Sequence, residues 1–319
     1  MKNLKRLAAA TMALAMVLGL TACGGGGESE TADGLEGKEI SIMTPYLSSV
    51  TTNQMVEYLQ SGLEEKGAEV TVIDTANDFS ALASRIEDVV TAQTDGIILV
   101  SADPTQLENQ LQEAFDAGIP VFGCDSGYIE GMETNATSDN YQMGEMITEY
   151  LFNDLMGGEG TVISLTHRPH PGVVKRCEAF DDMIAEEDGI ELITEQHIPA
   201  EQPINDAQDT VENLLLSNPD KDSITAIWCG WDEPAIGATQ ACMEAGRDEI
   251  LVVGVDGNEQ AVSLIQEGTN LKATVKQNFE GMAQIVLEQM ELLFTGGETE
   301  HGELYADATL ITPENAGQE

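Results

Sequence analysis

The 319 residues carry 57 acidic against 13 basic side chains, a formal charge of −44 at neutral pH. Such a surface repels nucleic-acid phosphates and anionic headgroups, which excludes a nucleic-acid partner and leaves a solvated, soluble exterior as the ordinary reading. With 42% hydrophobic residues, the chain can fill two domain cores but not several independent units.

In chain order, Lys2, Lys5 and Arg6 precede an apolar run at 7–20. The run is shorter than the ~20 residues of a membrane-spanning helix and suits the core of a signal peptide over residues 1–22. It ends in Leu20-Thr21-Ala22-Cys23, which resembles the bacterial lipobox. That resemblance implies cleavage before Cys23 and lipidation of its thiol; the alternative is an ordinary small-residue cleavage site. Residues 23–37, opening with Gly24 to Gly27, read as a lipidated cysteine and flexible tether. No other segment is apolar enough to span a bilayer, so the lipid is the expected sole membrane contact of an extracytoplasmic protein. Cys124, Cys177, Cys229 and Cys242 match neither a disulfide-dense scaffold nor a zinc site, and read as buried thiols.

After the tether, strands are predicted at 39–43, 70–73, 96–100 and in the apolar run that ends at Cys124. Between them Met55, Leu59 and Leu63, then Leu82, Ile86 and Val89, then Leu107, Leu111 and Ala114 recur at helical spacing. A second series follows Ser138-Asp139-Asn140. Helices are marked by Met143, Ile147 and Leu151, by 173–184, 206–216, 233–245 and 260–266. Strands at 160–165, 190–193, 224–229, 250–255 and 271–275 alternate with them. A last long helix carries Met282, Ile285, Leu287 and Met290, before a short tail. The fold class is therefore α/β, with two doubly wound, mostly parallel sheets.

The two series share an internal repeat. Ile86-Glu87-Asp88-Val89-Val90, residues 94–100 and 114–118 run in the same order as Val211-Glu212-Asn213-Leu214-Leu215, residues 223–229 and 242–246. Each leads to an apolar strand that stops at a carboxylate and then a glycine: Asp125 before Gly127, and Asp256 before Gly257. Ligands of open α/β sheets bind beyond the carboxyl ends of the strands. Two facing sheets therefore place Asp125 and Asp256 at one cleft, the alternative for each being an Asx turn. A carboxylate accepts several hydrogen bonds at once, which suits a ligand with several hydroxyls.

Other strand-end loops add candidates. Trp231 precedes Asp232-Glu233-Pro234 at a helix start, and offers a stacking surface or a cover for a core edge. Tyr46 is a similar case, and Gln277 ends the strand after Lys276. His167-Arg168-Pro169-His170, with Lys175 and Arg176, reads first as loop structure and second as ligand contact; metal is third, since no acidic partner at helical spacing supports it. There is no Gly-x-Ser-x-Gly, phosphate loop, His-Glu-x-x-His or Cys-x-x-Cys. No cofactor or metal is expected, and no catalytic residue is assigned.

These residues are familiar in combination. Ile119-Pro120-Val121 leading to Asp125, Thr137-Ser138-Asp139-Asn140, Arg176-Cys177-Glu178-Ala179-Phe180, Trp231-Asp232-Glu233-Pro234-Ala235-Ile236-Gly237-Ala238, Val253-Gly254-Val255-Asp256-Gly257 and Ala273-Thr274-Val275-Lys276-Gln277 make the chain resemble the ribose-binding-protein group of periplasmic sugar-binding proteins. These are receptor subunits of ATP-driven (ABC) importers. The resemblance implies a type I periplasmic-binding-protein fold, with a hinge of three crossings near 138–141, 277–278 and 306–310 that closes on ligand. The expected lobes are 38–139 with 278–307, and 140–277 with 308–319. The resemblance also implies that Asp125, Asp256 and Gln277 contact sugar hydroxyls; Ser126, Asn140, Arg168 and Arg176 join Trp231 and Tyr46 as further candidates.

Departures from the pattern point away from ribose. Val174 stands where the group often has a ligand-binding arginine, Trp231 where it has an asparagine, and Ser48-Ser49-Val50-Thr51-Thr52 where a phenylalanine pair is common. A different sugar, a polyol or a ring compound stacked on Trp231 is expected. The partners are then that ligand and a membrane permease, with the protein a monomer. The alternatives are a receptor signalling to a membrane kinase or chemoreceptor, and a secreted glycosidase using two carboxylates.

Overall fold

The computed structural model describes residues 34–318; the expected signal peptide, Cys23 and the first part of the tether lie outside them. The first sheet is built from β1 (Glu39–Thr44), β2 (Glu69–Asp74), β3 (Gly96–Val100), β4 (Val121–Cys124) and β5 (Thr134–Thr137), all parallel. Helices α1 (Val50–Glu65), α2 (Phe79–Ala92) and α3 (Glu108–Asp116) make the crossovers. The chain then passes through α4 (Asn140–Glu149) to the second sheet: β6 (Gly160–Thr166), β7 (Ile190–His197), β8 (Ala226–Cys229), β9 (Leu251–Asp256) and β10 (Leu271–Lys276). Its crossovers are α5 (Pro171–Glu186), α6 (Pro203–Ser217), α7 (Asp232–Glu244) and α8 (Glu259–Gln266). Afterwards α9 (Phe279–Phe294) and β11 (Gly302–Tyr305) return to the first sheet, and β12 (Thr309–Ile311) joins the second.

The sheet orders, β2-β1-β3-β4-β5-β11 and β7-β6-β8-β9-β10-β12, are the same order written twice. The internal repeat read from sequence is thus a repeat of topology. The copies differ at their last strand: β11 runs parallel to β5, whereas β12 runs antiparallel to β10.

Strand β3 shows why each sheet needs helices on both faces. All its residues are buried, and its period of two sends Ile98 and Val100 to one side and Ile97 and Leu99 to the other. The first pair packs with Leu59 and Leu63 of α1 and with Met282 and Val286 of α9. The second packs with Leu82 and Ile86 of α2 and Leu111 of α3. Full burial of each such aliphatic side chain contributes roughly 1.5–3 kcal/mol. The second sheet closes its core around Trp228, whose indole N–H donates to Thr148 Oγ1 at 3.0 Å.

Some expectations need correction. Strands β5, β11 and β12 lie where the sequence reading placed only crossings and a tail. Leu107 falls in a 3-10 turn, Pro104–Leu107, ahead of α3, and Leu151 in a π-helical segment, Tyr150–Leu155, that extends α4. Cys124, Cys177, Cys229 and Cys242 are all buried and unpaired, as the spacing predicts. Among the described residues, no helix is long and apolar enough to cross a membrane.

Candidate ligand-binding site

The carboxyl ends of both sheets meet around a small cavity of about 50 Å³, lined from the first lobe by Tyr46, Ser49, Thr51, Thr52 and Asp125. From the second lobe come His167, His170, Val173, Arg176, Ala200, Trp231, Glu233 and Asp256. A larger groove of about 910 Å³ adjoins it, because Glu233 and Asp256 line both; Gln277, Lys276 and Asn258 also border the groove.

Asp125 follows β4 and Asp256 ends β9, and both have positive φ, 51° and 139°. Non-glycine residues rarely adopt such backbone, and strain of this kind collects at binding sites. Neither carboxylate caps a helix: Asn258 caps α8 through Ala261 N–H. The Asx-turn reading therefore fails for both.

A continuous hydrogen-bond relay joins the two aspartates. Thr137 Oγ1 donates to Asp125 Oδ1 (3.3 Å), and Asn140 Nδ2 donates to Thr137 Oγ1 (3.1 Å). Arg176 Nε donates to Asn140 Oδ1 (2.8 Å), and Nη1 donates to Gly230 O (2.9 Å) and Asp256 Oδ1 (3.3 Å). Gln277 Nε2 adds a bond to Asp256 Oδ1 at 2.9 Å. Each member is 4% exposed or less, so the relay sits in a low dielectric where such bonds are strong and their loss is expensive.

Burial is also the main cause of the titration shifts. It pushes the Asp125 carboxyl up to about 6, against the pull of the Arg176 guanidinium and with a further push from Asp256. Asp256 is raised by burial and held back by Arg176 and Gln277. Burial and the Asp256 charge raise Asp232, behind the cavity wall, to about 7. Glu233 also rises to about 7, by burial first, Ser49 opposing and Asp256 adding.

Two histidines complete the wall with opposite polarity. His167 Nδ1 lies 3.0 Å from the Ile198 carbonyl, so it carries the proton and leaves Nε2 as an acceptor. His170 Nδ1 accepts from Gly172 and Val173 N–H at the start of α5, so its proton is on Nε2, which points to Asp125 Oδ2 at 3.9 Å. Burial, then Arg176 and His167, push His170 down to about 3, which keeps it a neutral donor. Burial likewise lowers His167. Tyr46 meets the His167 ring edge-on and tilts against the His170 ring, both at 5.9 Å, and the Trp231 ring is 5.9 Å from His167.

The sequence and the fold match known proteins. The sequence matches the family described as periplasmic binding protein domain over residues 40–298. The chain belongs to this family. The ribose import binding protein of Bacillus subtilis is 28% identical over 253 residues, which are 78% of this chain and 80% of that protein. The xylitol-binding protein of Mycolicibacterium smegmatis is 26% identical over 266 residues, 82% and 73% of the two chains. An ABC transporter solute binding protein from Agrobacterium vitis, solved with bound allitol, superposes with a TM-score of 0.82 at 28% identity, covering 89% of this chain and 98% of that one. The resemblance read from sequence is borne out.

Of the candidate residues in this periplasmic binding protein, Asp125, Asp256, Arg176, Trp231 and Tyr46 line the small cavity, and Gln277 lines the adjoining groove. Asn140 is brought to the site as a link in the relay. Ser126 and Arg168 are not brought there. The Ser126 hydroxyl donates to Leu99 O and accepts from Ala102 N–H, tying strand ends together. Arg168 is held by Glu195 and Asp181 on the outer side of the second lobe. Sequence reasoning passed over Glu233 and Ser49 as contacts, and ranked the two histidines as loop structure ahead of ligand contact. The one available signal for Ser49 is its N-cap position at α1: the side chain makes no cap bond and its hydroxyl donates to Glu233 Oε2 at 3.1 Å, across the cleft.

Proposed function

We propose that this periplasmic binding protein captures a small polyhydroxylated molecule, a monosaccharide or polyol, between its two lobes and presents the closed form to the permease of an ABC importer. The supporting observation is the relay that ties together the matched strand-end carboxylates, Asp125 and Asp256, both of which line one small cavity. In this reading, Asp125, Asp256, Arg176 and Gln277 take the hydroxyls, and Trp231 and Tyr46 cover the apolar face of the ligand. The lobes are residues 38–139 with 278–307 and 140–277 with 308–319, closing about three crossings. A monomer tethered through lipid on Cys23 fits a receptor that must reach a membrane partner. Its role is binding and release, without covalent chemistry.

A thermal-shift screen of sugars and polyols tests this. A ligand at 100 times its Kd stabilises by about 2.7 kcal/mol. Asp256→Ala is expected to abolish the shift while the ligand-free variant still unfolds cooperatively. Normal ligand stabilisation of Asp256→Ala would remove Asp256 from the site.

A further inference from the structure

Hydrogen-bonding capacity and charge in the cleft are unbalanced in the same direction. Among the described residues five buried side-chain atoms have no partner, and two of them belong to residues that line the cleft: His167 Nε2, at the small cavity, and Gln277 Oε1, at the adjoining groove. Both are acceptors, His167 because its Nδ1 proton goes to Ile198 O, and Gln277 because its amide nitrogen is bound to Asp256. The residues are 6% and 3% exposed. An orphaned buried acceptor is costly, so each calls for a donor from a ligand.

The charges repeat the pattern. Asp256 has Arg176 as its counter-ion. Glu233 is 6% exposed and faces both cavities, yet what acts on it is burial, the Ser49 hydroxyl, the Asp256 charge and the Trp231 indole N–H, with no cation among them. His170 is neutral and does not compensate Asp125. A buried carboxylate without a counter-ion is strongly unfavourable unless it takes up a proton or a cation arrives.

We propose, resting on the binding function above, that the ligand is a polyhydroxylated amine such as an amino sugar, aminocyclitol or amino polyol. Its ammonium group sits against Glu233, beside the Trp231 ring and towards Gln277 Oε1. Its hydroxyls occupy the Asp125, Arg176 and His167 side. An ammonium group supplies three donors and no acceptor, which matches what Glu233 and Gln277 lack.

The charged and titratable groups facing Glu233 fix the pH behaviour. They are Asp232 beside it on α7, Asp256 at the end of β9, Asp125 after β4, Glu57 on α1, Arg176 on α5 and the two histidines after β6, with Glu259, Glu280, Asp307 and Lys276, which is itself engaged, along the groove. Glu233 near 7 is partly protonated in the empty site, and an ammonium ligand favours the ionised form. Binding therefore releases protons, and affinity rises with pH.

Matched pairs test the inference by calorimetry on the whole protein: D-glucosamine and D-glucose, D-galactosamine and D-galactose, glucamine and sorbitol. In at least one pair the amine is expected to bind at least about tenfold tighter than its neutral twin. Between about pH 5 and about pH 6.5 the amine should tighten and release protons more than its neutral twin, both sharing the contribution of Asp125. Glu233→Gln should bring the ratio within that pair close to one; should the variant not fold, the pH arm on the unaltered protein decides. Neutral twins that bind as well as or better than the amines in every pair overturn the inference, as does the absence of amine binding. The proposed function falls only if neutral sugars and polyols also fail throughout the wider screen.

Discussion

Asp125 and Asp256 stand at the same place in two copies of one topology, both on strained backbone, yet they are held by unequal partners. Asp256 has a guanidinium, an amide and, at 3.4 Å, the Asp232 N–H. Its successor Gly257 has φ 73°, and a Cβ there would meet the Lys276 side chain at 2.4 Å, so the turn closes tightly on β10. Asp125 has a threonine hydroxyl and a neutral imidazole, and its successor is Ser126, whose side chain ties down β3. The repeated topology matches the two positions, and the side chains around them differ. The second lobe became the charged, preorganised half of the cleft, and the first contributes hydroxyls, one aromatic ring and one poorly compensated carboxylate.

Removing Arg176 is the strongest way to break this contrast. Arg176→Ala deletes the bonds to Asn140, Gly230 and Asp256 and leaves Asp256 buried without its cation, a loss of about 3–5 kcal/mol by urea unfolding. A loss below about 1 kcal/mol would mean that the relay does not hold Asp256.

Asp125→Asn sharpens the contrast through pH. The Asp125 carboxyl is raised from 3.8 to about 6 in the folded protein, so the folded state binds more protons than the unfolded one between those values. Stability from this group is greatest below about pH 4 and is lost as pH rises through about 6. The variant lacks that loss: it should gain on the order of 2 kcal/mol over the natural chain at about pH 7, and the gain should vanish near about pH 4. Parallel melting curves of the two proteins across this range would contradict the assignment.

The smallest effect is expected at Ser49. Its bond to Glu233 crosses from α1 to α7 and exists only while the lobes are together. Ser49→Ala should weaken ligand binding about fivefold, roughly 1 kcal/mol, with little change in the Tm of the empty protein. A large fall in that Tm would show the hydroxyl to be structural.

Much of the fold was legible because buried parallel strands such as β3 and β9 are nearly continuous apolar runs, and the helices between them repeat at four-residue spacing. Strands β5, β11 and β12 were not. Thr134-Asn135-Ala136-Thr137 is short and polar, and becomes a strand only because β4 and β11 flank it. In the site, Asp125 and Asp256 were found through the repeat, which ties local sequence to a matched place in space. Arg168 and Ser126 carried no such tie: closeness in sequence to His170 or Asp125 says nothing of which way a side chain leaves a turn. Glu233 was hidden for another reason. An acidic residue in the first turn of a helix is ordinarily explained by the helix dipole, and only the surrounding burial shows that water does not reach it.

The return of α9 and β11 to the first sheet has a consequence for how the chain folds. Met282, Val286 and Met290 complete the core begun by Ile40, Leu59 and Leu63, and β11 covers the edge of β5. Those contacts join distant parts of the sequence, and closing so long a loop is slow relative to local helix formation. The first lobe therefore stays unfinished until nearly the whole chain is available. Shortening the chain ahead of Phe279 should then abolish folding of that lobe outright instead of trimming its edge.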